Sequence, residues 1–211
     1  MLTTTLSYGY DEQSILLQAS TGDLEAYNQL VKRHENLAYR HAYALLGDPD
    51  LAADATQESF IKAFQAINTF RGGSFRAWLL RIVTNSAYDL FRRFRRHPTR
   101  TLFPEAEDGE EIESPSWIAD PAASVQAIVE QNEFTRDIYR TLAELPAVYR
   151  TVLTLVDVHE LDYREAAQAL NVPVGTVKSR LARARLQMKQ RLEGRLKYEG
   201  QPGGRRTGLA A

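Results

Sequence analysis

The sequence contains no cysteine among its 211 residues. This absence excludes disulfides, thiolate metal sites, iron–sulfur clusters and a cysteine nucleophile, and it suits a reducing compartment. Long apolar runs are also missing, since none approaches the roughly 20 residues of a membrane-spanning helix. The N-terminal segment MLTTTLSYGYDEQ lacks the basic start and apolar core of a signal peptide. The sequence therefore predicts a cytoplasmic chain without membrane insertion.

An excess of charge of one sign is absent as well. The formal net charge is -1, from 26 Lys and Arg against 27 Asp and Glu, which argues against a wholly basic nucleic-acid-binding surface. The charges are nevertheless segregated: NVPVGTVKSRLARARLQMKQR and RRFRRH are basic, whereas the stretch between the two halves of the chain is acidic. Any nucleic-acid binding is therefore expected from these local basic segments.

The first half of the chain shows no strand-like alternation and reads as helical. Its apolar spacing predicts a helix between Asp23 and Gly47 and a second one that begins at Asp48 and Pro49. Gly72 and Gly73 are expected to end the second helix, and Ser74 to cap a long third one, FRAWLLRIVTNSAYDLFRRFRR. The expected buried side of the second helix consists of Phe60, Ile61, Phe64 and Ile67.

Two sets of polar residues on these helices are not needed for packing of the core. Asp54, Gln57 and Glu58 share one helix face, and taken alone such a triplet is more often a solvated surface than a binding site. On the long helix, Asn85, Asp89, Arg92 and Arg96 share a face that runs into RRFRRH, with Phe91 just before the arginines and Phe94 among them. This basic run fits phosphate binding and the helix dipole equally well.

Residues 98–124 form an acidic connector, because four prolines and several turn residues interrupt the helical pattern. Its acids either keep the connector solvated or dock in a basic channel of a partner.

The second half contains a predicted helix–turn–helix. Pro146 opens one helix, Asp162 and Glu165 have the spacing of a capping box, and NVPVG makes a tight turn into a basic helix. On that helix, the expected buried stripe is Val177, Leu181, Ala184 and Met188. The opposite face holds Ser179, Ala182, Arg183 and Leu186, flanked by Thr176 and Lys178. Lys178, Ser179 and Arg183 are the candidates for base contacts; Arg180, Arg185 and Lys189 suit phosphate contact or solvation, and a charged surface helix without a ligand is the alternative.

Three segments together resemble one family. AADATQESFIKAF, FRAWLLRIVTNSAYDLFRR and LDYREAAQALNVPVGTVKSRLARAR are similar to motifs of bacterial extracytoplasmic-function sigma factors, in the same order. The resemblance implies an all-α fold of two small helical domains joined by a flexible acidic linker. The expected parts are a first domain at 20–97, a linker at 98–124, a helix–turn–helix domain at 125–193 and a disordered tail at 194–211.

The resemblance also implies roles for the residues. The polymerase-binding residues would be Asp54, Gln57 and Glu58. A pocket for a flipped base of the single-stranded minus-ten element would be formed by Phe70, Ser74, Phe75 and Asn85. The sugar–phosphate backbone of that element would be held by Arg92, Arg93 and Arg96. The duplex minus-thirty-five element would be bound by Thr176, Lys178, Ser179, Arg180 and Arg183. The implied partners are core RNA polymerase and promoter DNA. The linker acids between Glu105 and Glu113 would dock in the polymerase. The resemblance leaves open whether an anti-sigma factor also binds.

Two other classes of protein would show different features in the sequence. A stand-alone helix–turn–helix regulator would carry a receiver or ligand domain in front, and the first half shows no such pattern. An enzyme would need a set of reactive groups, but His34, His41, His97 and His159 give no metal-ligand spacing beyond that of His34 and His41, which lie two turns apart and more often serve surface or packing roles. Neither a phosphate-binding glycine loop nor a nucleophile elbow is found. The sequence therefore predicts no catalysis, no cofactor and no metal.

Overall fold

The structure, a computed structural model, describes residues 4–96 and 133–199. The first range contains α1 (Thr4–Ser20), α2 (Leu24–Leu46), α3 (Pro49–Ala66), a 3₁₀ turn (Ile67–Thr69) and α4 (Phe75–Arg96). The second contains α5 (Glu133–Ala143), α6 (Ala147–Leu153), a π-helical segment (Thr154–Val158), α7 (Tyr163–Leu170) and α8 (Val174–Glu199). The predicted all-α fold is confirmed; the predicted linker and His97 lie outside the described residues.

The predicted helix ends of the first domain rest on short-range hydrogen bonds. The Asp23 carboxylate accepts from the backbone N–H groups of Glu25 and Ala26, and the Asp48 carboxylate accepts from that of Leu51. Gly47 ends α2 in the left-handed conformation at φ 70°, which costs glycine little because it has no Cβ. Helix α3 ends before the predicted stop at Gly72, because the 3₁₀ turn intervenes.

The buried side of α3 differs from the prediction. Ile61 and Phe64 are 54% and 40% exposed, whereas Ile67 is buried. The interior face of α3 is instead a stripe of small residues, Ala52, Ala55, Ser59 and Ala63. Small side chains let α3 approach α2 and α4 closely, so its large apolar residues turn partly outward. The assignment of Ile61 and Phe64 to the core is therefore wrong.

Helix α1 lies before the predicted start of the first domain at residue 20. Its Ile15 and Ala19 are buried in the same apolar cluster as Leu30 of α2 and Leu79 and Val83 of α4. The core of the first domain therefore includes α1.

The second domain is a helix–turn–helix built on α7 and α8. Asp162 and Glu165 form the complete capping box at the start of α7, and Asn171 ends α7 in the left-handed conformation at φ 51°. The predicted stripe of α8 is buried, with exposures of 0% to 9% at Val177, Leu181, Ala184 and Met188. Helix α8 continues to Glu199, past the predicted domain end at 193, and the rest of the predicted tail lies outside the described residues.

The two domains pack directly against each other. One apolar cluster contains Ala44, Ala77 and Leu80 of the first domain together with Leu142, Val152 and Leu155 of the second. Helix α7 contacts α4 along this boundary. Within residues 4–96 and 133–199, no helix has both the length and the apolar character needed to cross a lipid bilayer.

Candidate nucleic-acid and polymerase interfaces

The α3 face consists of Asp54, Gln57, Glu58, Ile61 and Phe64. Asp54 and Gln57 are exposed and Glu58 is half-buried. Ile61 and Phe64 lie one and two turns beyond Gln57 on the same side of the helix. The apolar spacing alone did not indicate these two residues as surface groups, because large apolar residues of an amphipathic helix usually face the core. The α3 face is thus both acidic and apolar, a combination that fits a protein partner.

Glu58 is held by two cations. Its Oε1 lies 2.8 Å from Lys62 Nζ and its Oε2 lies 2.5 Å from Arg93 Nη2. Lys62 also donates to the Ser86 hydroxyl at 3.1 Å. Burial raises the pKa of the Glu58 carboxyl, but the hydrogen bonds from Lys62 and Arg93 outweigh it and leave that pKa below its usual value. Glu58 is therefore ionised at neutral pH.

The basic end of α4 borders an open cleft of about 550 Å³. The cleft is lined by Glu58, Asp89, Arg92, Arg93 and Arg96. Arg92 is hydrogen-bonded to Asp89, and Arg93 to Glu58. Next to the cleft, Phe91 and Phe94 are 39% and 51% exposed, and the Arg95 guanidinium lies 5.7 Å from the centre of the Phe91 ring. Arginines beside exposed aromatic rings suit a nucleic-acid strand.

An aromatic cluster underlies the loop between α3 and α4. The Phe70 ring lies 5.8 Å from the Phe75 ring and 5.5 Å from the Trp78 ring. Phe75 is only 3% exposed, whereas Phe70 and Trp78 are half-buried. The predicted pocket residues do not include Trp78, although its place in FRAWLL, one turn after Ser74, was a usable signal for its position in this cluster. Behind the cluster, the His34 ring packs on Phe75 at 5.2 Å, and His34 Nε2 lies 2.6 Å from Glu12 Oε1.

The other two predicted pocket residues have different positions. The Ser74 hydroxyl accepts from the Ala77 N–H at 3.2 Å and so caps α4. Asn85 is exposed, but it lies ten residues after Phe75, about 15 Å along the helix axis. The structure therefore gathers Phe70, Ser74, Phe75 and Trp78 at one end of α4 and places Asn85 farther along it.

The outer face of α8 carries the predicted duplex-binding residues. Lys178, Ser179 and Arg183 are exposed, and Thr176 and Arg180 are half-buried. The Ser179 hydroxyl donates to the Thr176 carbonyl at 3.1 Å, and Lys178 Nζ lies 5.8 Å from the centre of the Tyr163 ring. Arg185 is engaged elsewhere: its Nε and Nη2 lie 2.9 Å and 2.6 Å from the two carboxylate oxygens of Asp157.

A polar group lies at the boundary between the domains. The His41 and His159 rings lie 5.1 Å apart, and His41 Nε2 lies 2.8 Å from the Thr84 hydroxyl. Arg76 donates to the His159 carbonyl, and Arg150 donates to the carbonyls of Leu45, Ala143 and Leu145. The hydroxyl groups of Tyr88 and Thr151 form a hydrogen bond of 2.7 Å.

The two histidines at this boundary resist protonation. Burial, followed by the charge of His159, lowers the pKa of His41 well below its usual value. Burial, followed by the charges of Arg76 and Arg40, lowers the pKa of His159 to about 3. Among the residues that the structure describes, no three His, Asp or Glu side chains are grouped to hold a metal ion.

Fold and site together define a class: a two-domain, all-α DNA-binding protein with a terminal helix–turn–helix. Residues 30–97 match the family described as Sigma-70 region 2, and residues 135–188 match that described as Sigma-70, region 4. The RNA polymerase sigma-H factor of Pseudomonas aeruginosa is 35% identical over 82% of this chain and 90% of its own. The ECF RNA polymerase sigma factor SigE of Mycolicibacterium smegmatis is 34% identical over 82% of this chain and 65% of its own.

Solved structures give the same result. CnrH, determined in complex with the cytosolic domain of CnrY, is 25% identical with a TM-score of 0.64 and covers 87% of this chain and 98% of its own. The sigma factor RpoE of Bartonella quintana, 24% identical with a TM-score of 0.58 over 81% of this chain and 98% of its own, shares the fold. The chain belongs to the extracytoplasmic-function (ECF) sigma factors of bacterial RNA polymerase.

Proposed function

We propose that this chain is a non-catalytic, cytoplasmic subunit that gives core RNA polymerase its promoter preference and helps to open the duplex. The observation that carries the proposal is α8, which buries its apolar stripe and leaves Lys178, Ser179 and Arg183 exposed on the opposite side. A stand-alone helix–turn–helix regulator is not favoured, because the family matches include both domains.

The α3 face is the proposed docking site for core polymerase. Asp54, Gln57 and Glu58 supply charge and hydrogen-bonding groups, and the exposed Ile61 and Phe64 add apolar area beside them. Aromatic and aliphatic side chains at the centre of an interface with polar groups around them are the usual anatomy of a protein contact.

The loop between α3 and α4 is the proposed reader of the single-stranded minus-ten element. Phe70 and Trp78 offer half-buried ring faces on which a flipped base can stack. Phe75 supports these rings from within the core, and Ser74 fixes the start of α4. Asn85 would contact a nucleotide farther along the strand, and the phosphates would be held by Arg92, Arg93 and Arg96.

The outer face of α8 is the proposed reader of the duplex minus-thirty-five element. Lys178, Ser179 and Arg183 would contact base edges in the major groove. Thr176 and Arg180 flank them and suit phosphate contacts.

The wider organisation follows the same proposal. The first domain (20–97, extended by α1) and the second (125–193) would be joined by the acidic linker (98–124), which would dock in the polymerase. CnrH is known in complex with the cytosolic domain of CnrY, and we propose that a regulatory anti-sigma protein binds this chain too.

Run-off transcription with bacterial core polymerase and the purified chain tests the function. The expected result is promoter-specific transcripts from genomic templates that core polymerase alone does not produce. Absence of such transcripts, together with no retention of the chain by core polymerase in a pull-down, would contradict the proposal.

Replacing both Asp54 and Gln57 with alanine tests the docking site. Both side chains are exposed, so the fold should keep its stability to within about 0.5 kcal/mol. Binding to core polymerase should fall, whereas binding of duplex DNA by α8 should persist. Unchanged polymerase affinity, measured by pull-down or by fluorescence, would exclude the α3 face.

A further inference from the structure

Glu58 connects the α3 face with the basic end of α4, two surfaces to which the family resemblance gives separate roles. It lies on the α3 face, and its Oε2 pairs with Arg93 at the basic end of α4, 35 residues away in sequence. Its Oε1 pairs with Lys62, one turn along the same helix. One carboxylate therefore neutralises a guanidinium that the proposed function assigns to DNA.

Arg93 is not the only arginine of the cleft that is paired with a carboxylate. Of the three arginines that line the cleft, Arg92 is hydrogen-bonded to Asp89 and Arg93 to Glu58. A DNA strand entering the cleft must displace these carboxylates from the guanidinium groups or leave the arginines partly neutralised. The free chain therefore presents less positive charge than its arginine count suggests.

Lys62 and Arg93 differ in how firmly they are placed. Lys62 is anchored to α3 and also donates to the Ser86 hydroxyl, so it stays in position when Glu58 moves. The Arg93 side chain is 56% exposed and borders the open cleft, so it is free to turn toward a phosphate once its partner is withdrawn.

We propose that Glu58 couples polymerase docking to capture of the single-stranded promoter element. This inference rests on the proposed function. A partner surface complementary to Asp54 and Glu58 carries positive charge. When that surface takes the Glu58 carboxylate, Arg93 is released to the DNA backbone; in the free chain, the ion pair weakens DNA binding.

The expected change in DNA affinity is small because both side chains of the ion pair are partly exposed. The side chains of Glu58 and Arg93 are 31% and 56% exposed, so water and salt screen the pair. Releasing a surface ion pair of this kind changes affinity by about two- to fivefold. Each added phosphate contact on a single strand steepens the dependence of log affinity on log salt by about 0.7.

A double-mutant cycle on the full-length chain tests the coupling. Glu58→Gln, Arg93→Gln and the double variant are titrated with a short single-stranded oligothymidylate over a range of salt, with fluorescence anisotropy as the readout. Glu58→Gln should tighten binding and steepen the salt dependence, and it should do neither when Arg93 is already glutamine. Asp50→Asn, the matched control, removes the same charge from an exposed position in the first turn of α3, outside both the cleft and the α3 face, and should have a smaller effect.

The second arm repeats the titration in the presence of saturating core polymerase. There the gain from Glu58→Gln should disappear, because polymerase has already withdrawn the carboxylate from Arg93. An equal gain in the Arg93→Gln background, or an equal gain with Asp50→Asn, would show a general charge effect and overturn the coupling. Promoter-specific transcripts from the unmodified chain alongside either result would leave the proposed function intact.

Discussion

Phe70 and Phe75 have similar positions in the sequence but differ in burial, and we therefore expect them to have different roles. Phe70 and Phe75 both flank the loop between α3 and α4, and both were predicted as pocket residues. Phe75 is 3% exposed and packs between Phe70, Trp78 and His34. Phe70 is only half-buried. Of the two, Phe70 is therefore the residue that we propose for stacking on a base.

Alanine variants of the two residues should differ in what they damage. Phe75→Ala should lower the free energy of unfolding by about 3–5 kcal/mol, because it empties a core site. Phe70→Ala should instead reduce affinity for single-stranded DNA by about 1–3 kcal/mol per stacked base with a smaller loss of stability. Urea unfolding and oligonucleotide titration measure the two quantities. A Phe70→Ala variant with normal affinity would remove Phe70 from the site.

At the level of an element, α8 shows that not all of its arginines are available to DNA. Arg183 is exposed on the outer face. Arg185, two residues on, makes a bidentate ion pair with Asp157, and the hydrogen bonds that it donates to that carboxylate raise the pKa of its guanidinium above the ordinary value. Arg185 thus ties α8 to the π-helical segment.

Alanine variants of these arginines should separate DNA binding from scaffold support. Arg183→Ala should weaken binding to the cognate duplex by about 1–3 kcal/mol if it reads a base. Arg185→Ala should leave duplex affinity nearly unchanged and lower stability by less than about 1 kcal/mol, since the pair with Asp157 is at the surface. Gel-shift titrations on one duplex compare the two. The reverse order of effects would mean that the docking face of α8 lies on the Arg185 side.

At the level of the whole molecule, the direct packing of the two domains is the main structural finding. The boundary is apolar around Ala77 and Leu80 but also contains the buried pair His41 and His159. His41 Nδ1 and His159 Nε2 are buried without a hydrogen-bond partner within the described residues. Such groups cost free energy while the domains are packed, and separation of the domains would hydrate them. The packed arrangement is therefore sensitive to the protonation of both rings.

The sign of the pH dependence follows from the lowered pKa values. Both rings are neutral in the packed state, with the pKa of His159 at about 3, whereas free histidine has a pKa near 6.5. The exposed state binds more protons below about pH 6.5, so stability should be full above that pH and fall as pH is lowered toward about 3. The slope should be about 1 kcal/mol per pH unit for each histidine.

Urea unfolding at about pH 7 and about pH 5 measures this dependence. His159→Gln, which cannot titrate, should lose part of the pH dependence whatever its absolute stability. His34→Gln is the matched control, because His34 pairs with Glu12 away from the domain boundary. An unaltered pH dependence in His159→Gln would contradict the assignment.

Features that depend on short-range contacts could be predicted from the order of the amino acids. The caps at Asp23, Gly47 and Asp48, the capping box of Asp162 and Glu165, and the buried stripe of α8 were all predicted. Caps link groups within a few residues of each other, and an apolar stripe repeats with the period of the helix. Such features are visible in a window of one helix, and the helical fold and the helix–turn–helix followed from them.

Contacts between groups far apart in the sequence depend on how the helices pack. The partial exposure of Ile61 and Phe64, the pair of Glu58 with Arg93, and the contact of His41 with His159 depend on which helices pack together and how closely. No local period specifies the rotation of α3 against α2 and α4 when its interior stripe consists of small residues. Charge and burial depend on how the helices pack together, so the ion pair between the α3 face and the basic end of α4 could not be predicted from the sequence.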